Sequence, residues 1–261
     1  MSQMPLKSWA LLTAGGQSQR FQTDAQRQGL TFVANKLLNP LEGVPVLVHS
    51  LRALLVSMPF AGLIVTAPKN VMADFQVILE ALQAEFPHTP LFLVEGGSNR
   101  RASVYAGLQY LTSFTQTALP EFVVIHDGAR PLLPPHFLPL AMQQFQAFPH
   151  LHGVIAGFPL KDTIKRVRVE DNATRIESTV ARQALWAVQT PQVFRFQALW
   201  HAHQSVAIDD TITDDAELIE RHLGPQASLC VLPSTQQNLK ITTPEDLDLA
   251  RFWLNTASDS N

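Results

Sequence analysis

The chain has 261 residues, 46% of them hydrophobic and 16% charged, enough to bury one large α/β core or two small ones. A net charge of −3 and a pI near 6.3 leave no excess of Lys and Arg for broad nucleic-acid or anionic-membrane binding, so any anion site must be local. The single cysteine, Cys230, excludes an intramolecular disulfide and a multi-cysteine metal site, and that usage suits the cytoplasm.

The apolar run from Trp9 to Leu12 reads as a first strand. Lys7 ahead of it gives a faint likeness to a secretory leader, but the apolar stretch is too short, and no segment reaches the ~20 apolar residues of a membrane helix. At the exit of the strand, Ala14, Gly15 and Gly16 let backbone N–H groups approach an oxyanion, and Arg20 supplies a guanidinium fork for phosphate oxygens. The spacing matches neither the G-x-x-x-x-G-K-[ST] loop nor the G-x-G-x-x-G fingerprint, which leaves a different nucleotide loop or a plain tight turn. From Gln17 to Asn35 the chain is polar, rich in Gln and without a clear period, as in a flap over a site or a disordered insertion. Lys36 follows, either a second cation for a polyphosphate cradle or a solvated surface lysine.

Further strands are expected over Gly62–Ala67, Leu91–Glu95, Phe122–His126 and Gly153–Phe158, with helices over Pro45–Leu55, Val71–Glu85, Arg101–Thr112 and Pro135–Phe145. This alternation implies a largely parallel sheet with right-handed crossovers in one domain, whose ligands bind beyond the carboxyl ends of the strands. The loops after Leu12, Glu95 and His126 therefore matter most. The second of them, Gly96 to Ser103, combines flexible glycines with side chains that can read a base or cap a helix, although Ser103 also reads as an ordinary helix residue. In the third, Asp127 suits a ribose hydroxyl or a divalent cation and Arg130 suits a phosphorylated substrate, unless the two form a salt bridge that caps the turn.

Pro159 to Val188 alternates charged and β-branched residues, the pattern of a projecting antiparallel hairpin. Asp209, Asp210, Asp214 and Asp215 make an acidic cluster, but Asp214 with Glu217 reads as a helix N-cap. His150, His152, His201 and His203 lack zinc-site spacing and read as surface residues. Asn238 to Lys240 reads as a short strand before a helix capped by Thr243, with Pro244 at its first position and Asp246 favouring its dipole.

Taken in order, Ala14 to Arg20, Lys36, Gly97 to Ser103, His126 to Pro131, Lys161 to Arg166, Thr179 to Arg182, Gln189 to Gln192, Thr213-Asp214 and Asn238 to Lys240 form a motif series. Along nearly its whole length the chain resembles the 2-C-methyl-D-erythritol 4-phosphate cytidylyltransferase family. The resemblance implies one Rossmann-like α/β domain over 1–261, its largely parallel mixed sheet flanked by helices, with a projecting β-hairpin dimerisation arm at about 159–188. It implies a homodimer with interlocked arms, CTP as co-substrate, a sugar-alcohol phosphate as acceptor and a divalent cation, usually Mg2+.

By resemblance, Arg20 and Lys36 contact the triphosphate, while Ala14, Gly15, Gly16, Gly97, Ser98 and Ser103 shape the nucleotide pocket. Asp127, Gly128, Arg130, Thr163, Arg182, Thr190, Thr213 and Lys240 surround the ribose and the methylerythritol phosphate, Thr163 and Arg182 coming from the partner subunit. Arg20, Lys36, Arg182 and Lys240 are the catalytic set, and Asp127 is the first candidate for the metal.

A phosphate monoester with a second pKa of ~6 is already largely dianionic at neutral pH and attacks the α-phosphorus without a protein base. Alignment and charge neutralisation remain, which are tasks for Arg, Lys and Mg2+. The chain departs from the family in Ser18, where glycine is usual, in Ser98, where an acid is common, and in a longer separation between Arg20 and Lys36. Alternative readings are a pentitol-phosphate cytidylyltransferase, a molybdenum-cofactor guanylyltransferase and a catalytically silent CTP-binding dimeric scaffold.

Overall fold

Short runs of apolar residues with period two, separated by segments with period near 3.6, build successive strand and helix units. A computed structural model describes residues 8–16, 18–33, 35–114, 119–170, 173–206 and 211–258. In its first half, β1 (Ser8–Thr13) is followed by α1 (Gln19–Arg27), the short β2 (Pro40–Leu41) and β3 (Val44–Pro45), α2 (Val46–Ser57), β4 (Gly62–Ala67), α3 (Met72–Glu85) and β5 (Leu91–Glu95). Next come α4 (Arg100–Phe114), β6 (Phe122–Asp127), α5 (Phe137–Ala147), β7 (Gly153–Pro159), β8 (Ile164–Glu170) and β9 (Ala173–Val180). The last elements are β10 (Trp186–Arg195), α6 (Phe196–Ser205), α7 (Asp215–Leu223), β11 (Leu229–Pro233) and α8 (Pro244–Ser258).

One seven-stranded sheet runs in the order β11-β7-β10-β6-β1-β4-β5. All neighbours are parallel except β10, which is antiparallel to both β6 and β7. Because side chains alternate across a strand, Trp9, Leu11, Val123 and Ile125 join α4, α6 and α7 in one apolar layer. Ala10, Leu12, Val65 and Val124 join α2, α3, α5 and α8 in the other. The largely parallel mixed sheet between helices is the architecture expected from the sequence.

From β1 the chain builds outward through β4 and β5, then returns to place β6 on the other side of β1. That reversal opens a crevice beyond the carboxyl ends of β1 and β6, where open α/β sheets bind ligands. Thr13 and Asp127, the last residues of these strands, are register partners.

Three segments differ from their sequence reading. Gln17 and Ala34 lie outside the described residues, but between them Gln19–Arg27 forms α1 rather than an unstructured flap. Phe21 and Ala25 are buried, Phe21 meets Phe32 edge-on, and Gln28 donates to Glu245 at the start of α8. Two apolar residues four apart are a weak periodic signal among glutamines, and tertiary contact supplies the rest. Asn238 to Lys240 is an irregular loop rather than a strand, its neighbour Ile241 donating to the Ala129 carbonyl instead of entering a ladder. The projecting hairpin is confined to β8 and β9, because Trp186 to Val188 already belong to β10 and pair with β7.

If α1 is held by Phe21, then Phe21→Ala should lower stability by about 3 kcal/mol in urea unfolding. Tryptic cleavage at Arg20 and Arg27 should accelerate in parallel, and an unchanged cleavage rate would show that α1 is not docked through this residue.

Candidate active site

The loop after β1 is anchored by Ala14, whose N–H donates to the Thr66 carbonyl at 2.8 Å. A Cβ on Gly97 would lie 2.3 Å from the Ala102 Cβ and 2.9 Å from its carbonyl carbon, so the turn into α4 admits only glycine. Gly16 differs: a Cβ there meets nothing within 4 Å, so its backbone faces open space in which a ligand can sit. Asn99 caps α4 by accepting from the Ala102 N–H at 2.8 Å, and the buried Ser103 hydroxyl donates to the Asn99 carbonyl at 2.9 Å. Ser103 is thus a helix residue that also walls the cleft.

Asp127 is the centre of charge. It is 6% exposed, and its carboxylate lies 2.7 Å from Lys240 Nζ, 3.3 Å from Arg100 Nε and 3.7 Å from Arg130 Nε, with the Thr13 hydroxyl donating at 3.3 Å. Burial alone would raise its pKa, but Arg100, Lys240 and Arg130 outweigh that and hold it well below the usual carboxylate range. The salt-bridge reading of Asp127 and Arg130 is therefore part of a larger cluster. Arg100 extends it, pairing at 2.6 Å with the buried Asp215, which also meets His203 Nε2 at 3.3 Å. His203, expected on the surface, is buried against this carboxylate.

Behind Asp127, the Thr190 hydroxyl accepts from the Asp127 N–H at 3.0 Å and lies 3.2 Å from His126 Nδ1. His126 Nε2 donates to the Arg130 carbonyl at 3.0 Å, which makes Nδ1 the acceptor. Burial pushes His126 down to about 4, so it is neutral and structural. Arg130 also donates to the Asn238 carbonyl at 2.7 Å, fixing the loop that carries Lys240.

Lys36 opens a 3-10 turn (Lys36–Leu38) that Asn35 caps by accepting from the Leu37 N–H at 2.9 Å. Buried Asn39 fastens the approach, accepting from the Val33 N–H at 2.8 Å and donating to the Val33 and Asn35 carbonyls at 3.0 and 3.2 Å. The Lys36 ammonium donates to the Ile241 carbonyl. Burial, reinforced by Lys240, lowers Lys36 to about 8 although Asp127 opposes the shift.

Three clefts share these walls. One of about 250 Å³ is lined by Ala14, Gly15, Gly16, Ser98, Arg100 and Ser103, with Lys36, Asp127 and Lys240. A second, about 260 Å³, adds Arg20 and Ser18 to Gly16, Lys36 and Lys240. A third, about 190 Å³, lies between Arg100, Asp127, Arg130, Thr190, Thr213 and Lys240. Gly97 and Gly128 shape backbone beside the clefts without lining them, Gly128 packing against Leu12 and the Thr13 carbonyl. Thr163 and Arg182 line none of the three; both are exposed at the root of the hairpin, where Arg182 donates to the Lys161 carbonyl.

Arg100 is the residue that sequence reasoning passed over as a site residue. Its position inside the glycine-rich segment was a signal, but the pairing with Asp127 and Asp215 depends on strands and helices distant in sequence. Asp214 accepts from the Glu217 N–H at 2.9 Å and is the expected helix cap; Asp209 and Asp210 lie outside the described residues. Asp246 accepts from the N–H groups of Thr242 and Thr243, so the helix starts at Pro244 as expected, with the Asp246 carboxylate reaching back to the amides that precede it.

Residues 9–256 match the family model of 2-C-methyl-D-erythritol 4-phosphate cytidylyltransferase. The chain belongs to that family. A relative of that name from Synechococcus sp. (strain JA-3-3Ab) is 40% identical over 83% of this chain and 87% of its own. One from Bacillus velezensis is 34% identical over 87% of this chain and 90% of its own. The crystal structure of a 4-diphosphocytidyl-2C-methyl-D-erythritol synthase superposes with a TM-score of 0.72 at 26% identity, covering 96% of this chain and all of that one.

Among the described residues, no group of three His, Cys, Asp or Glu side chains is placed to hold a metal. Asp127, the first candidate, is already occupied by cations, so the residues present do not fit a cage for Mg2+ made by the protein. None of the described helices is long and apolar enough to cross a membrane.

The Lys36 ammonium should titrate near pH 8 in an NMR pH series on the free protein. Asp127 raises that value, so Asp127→Asn should move the midpoint lower, and a midpoint left in place would show that the two groups do not interact.

Proposed function

We propose that this protein transfers the cytidylyl group of CTP to 2-C-methyl-D-erythritol 4-phosphate, releasing pyrophosphate, in keeping with relatives named as cytidylyltransferases of that sugar-alcohol phosphate. The observation that carries the reading is the meeting of three clefts at one lysine, Lys240, beside Asp127, in a chain of this family. The nucleoside enters the cleft of Gly15, Gly16 and Ser103, and its triphosphate extends toward Arg20 and Lys36. The sugar-alcohol phosphate takes the cleft of Arg130, Thr190 and Thr213.

An oxygen of that dianionic phosphate attacks the α-phosphorus, a new P–O bond forms, and the bond to the β-phosphate bridging oxygen breaks. Pyrophosphate leaves with the electron pair, and no side chain needs to remove a proton. Arg20, Lys36 and Lys240 offset the repulsion between the two anions and the charge that grows on the leaving group. A divalent cation such as Mg2+, arriving with the nucleotide rather than held in a cage of protein carboxylates, would supply further charge neutralisation to the polyphosphate. The cytoplasm is the expected compartment.

The hairpin supports a homodimer. Val167 and Ile176 are cross-strand partners and Val169 lies two residues on, all on one face and 46%, 66% and 73% exposed. A two-stranded hairpin is marginal alone in water, and burial of these side chains against a second copy would stabilise it. Thr163 and Arg182 stand at its root, where an exchanged arm completes the neighbouring cleft.

A substrate panel with pyrophosphate readout should show turnover with CTP and 2-C-methyl-D-erythritol 4-phosphate and little with GTP or ribitol phosphate. Equal use of the pentitol, preference for GTP, or silence with every pair would favour one of the three alternative readings instead. Lys36→Ala should lower kcat about 10²-fold or more, the scale of losing one charged stabiliser. Arg182→Ala should weaken use of the sugar phosphate more than CTP. Mixed dimers of the two variants should be more active than either variant alone, because one site per dimer then combines an intact body with an intact arm; no gain would rule out arm exchange.

A further inference from the structure

Ser18 opens α1 and its carbonyl accepts from the Gln22 N–H, yet its hydroxyl does not cap the helix as an N-terminal serine usually does. Its φ of 54° and ψ of 17° lie in the left-handed region, and its side chain makes no capping hydrogen bond to its own helix. Both features carry a cost. Left-handed backbone strains a non-glycine residue, and a missing serine cap gives up the stabilisation that an N-cap hydroxyl supplies. Such expense at one residue beside a ligand cleft points to function rather than stability.

The hydroxyl is used elsewhere: Ser18 Oγ accepts from the Lys36 N–H at 3.1 Å, across eighteen residues of chain. Ser18 is two residues before Arg20, and Ser18, Arg20 and Lys36 line one cleft together with Lys240.

We propose that Ser18 is a positioning residue for nucleotidyl transfer, its hydroxyl coupling the helix that carries Arg20 to the turn that carries Lys36 so that both cations meet one polyphosphate. This rests on the function proposed above. It also accounts for the serine: glycine would suit the backbone better but has no acceptor to offer the Lys36 amide. The long polar insertion is thereby closed into a loop whose two ends carry the two phosphate ligands.

Ser18→Ala keeps the left-handed strain and removes the hydroxyl; Ser18→Gly removes both. Each should raise the KM for CTP about 5- to 10-fold while leaving the KM for the sugar phosphate within about twofold, the scale of one lost hydrogen bond. Stability should divide them, Ser18→Gly melting no lower than the parent protein. Lys36 sits among Lys240, Asp127, Arg20 and Asp246, and a loosened Lys36 should titrate higher, so the basic limb of kcat/KM for CTP should move upward in both variants. Parental kinetics in Ser18→Gly would overturn the proposal.

Two readouts do not need turnover: exchange of the Lys36 amide with solvent, and calorimetric affinity for inorganic tripolyphosphate with Mg2+. Faster exchange with weaker binding in both variants supports the coupling; unchanged exchange or unchanged affinity refutes it. Should the parent protein bind tripolyphosphate but turn over no CTP, the functional reading fails while the Ser18 result still stands on these measurements.

Discussion

A buried carboxylate surrounded by three cations is the constraint around which this site is arranged. Asp127 is almost inaccessible to solvent, and an isolated charge there would be costly by several kcal/mol. Lys240, Arg100 and Arg130 compensate it, and it compensates them in turn, because three cations converging on one crevice without a counter-ion would repel one another. A crevice built this way is rich in donors before any phosphate arrives. An anionic ligand finds cations already oriented, and the reorganisation that would oppose charge development is small.

The fold holds this cluster from several directions. The switch point of the sheet sets β1 beside β6 so that Thr13 reaches Asp127, while antiparallel β10 brings Thr190 to the Asp127 amide. A neutral His126 bridges Thr190 and the Arg130 carbonyl beneath it. Were that imidazole charged, another buried cation would join a crowded site; burial keeps it neutral. Arg100 links the cluster outward to Asp215 and thus to the first turn of α7. Strand ends, one helix start and two loops are therefore mutually dependent through hydrogen bonds and ion pairs.

The hairpin follows a different logic. Among the described residues Val167, Val169 and Ile176 stay exposed on one face, whereas Arg168 on the opposite face pairs with Glu170 and Glu177. One face is built for water and one for apolar contact. The same segment bears Thr163 and Arg182 at its root, so the proposed assembly and the proposed completion of the site would be joined in a single structural element.

Much of this was legible in the chain itself. Strand cores such as Gly62–Ala67 and Leu91–Glu95, the helices between them, the hairpin and the position of the glycine-rich loops at strand ends follow from periodicity, glycine placement and charge, because these signals are local. The cap of α7 by Asp214 is equally local. Helix α1 was not legible, since its stability comes from Phe21 meeting Phe32 rather than from its own pattern. Nor were the burial of His203 or the role of Arg100, whose partners Asp127 and Asp215 lie 27 and 115 residues away in sequence. The sequence by itself determined which residue types were present to neutralise phosphate, and roughly on which loops. Only the tertiary structure decided which of them share a crevice and which protonation states they keep there, because burial and the distance between charges are properties of the packed chain.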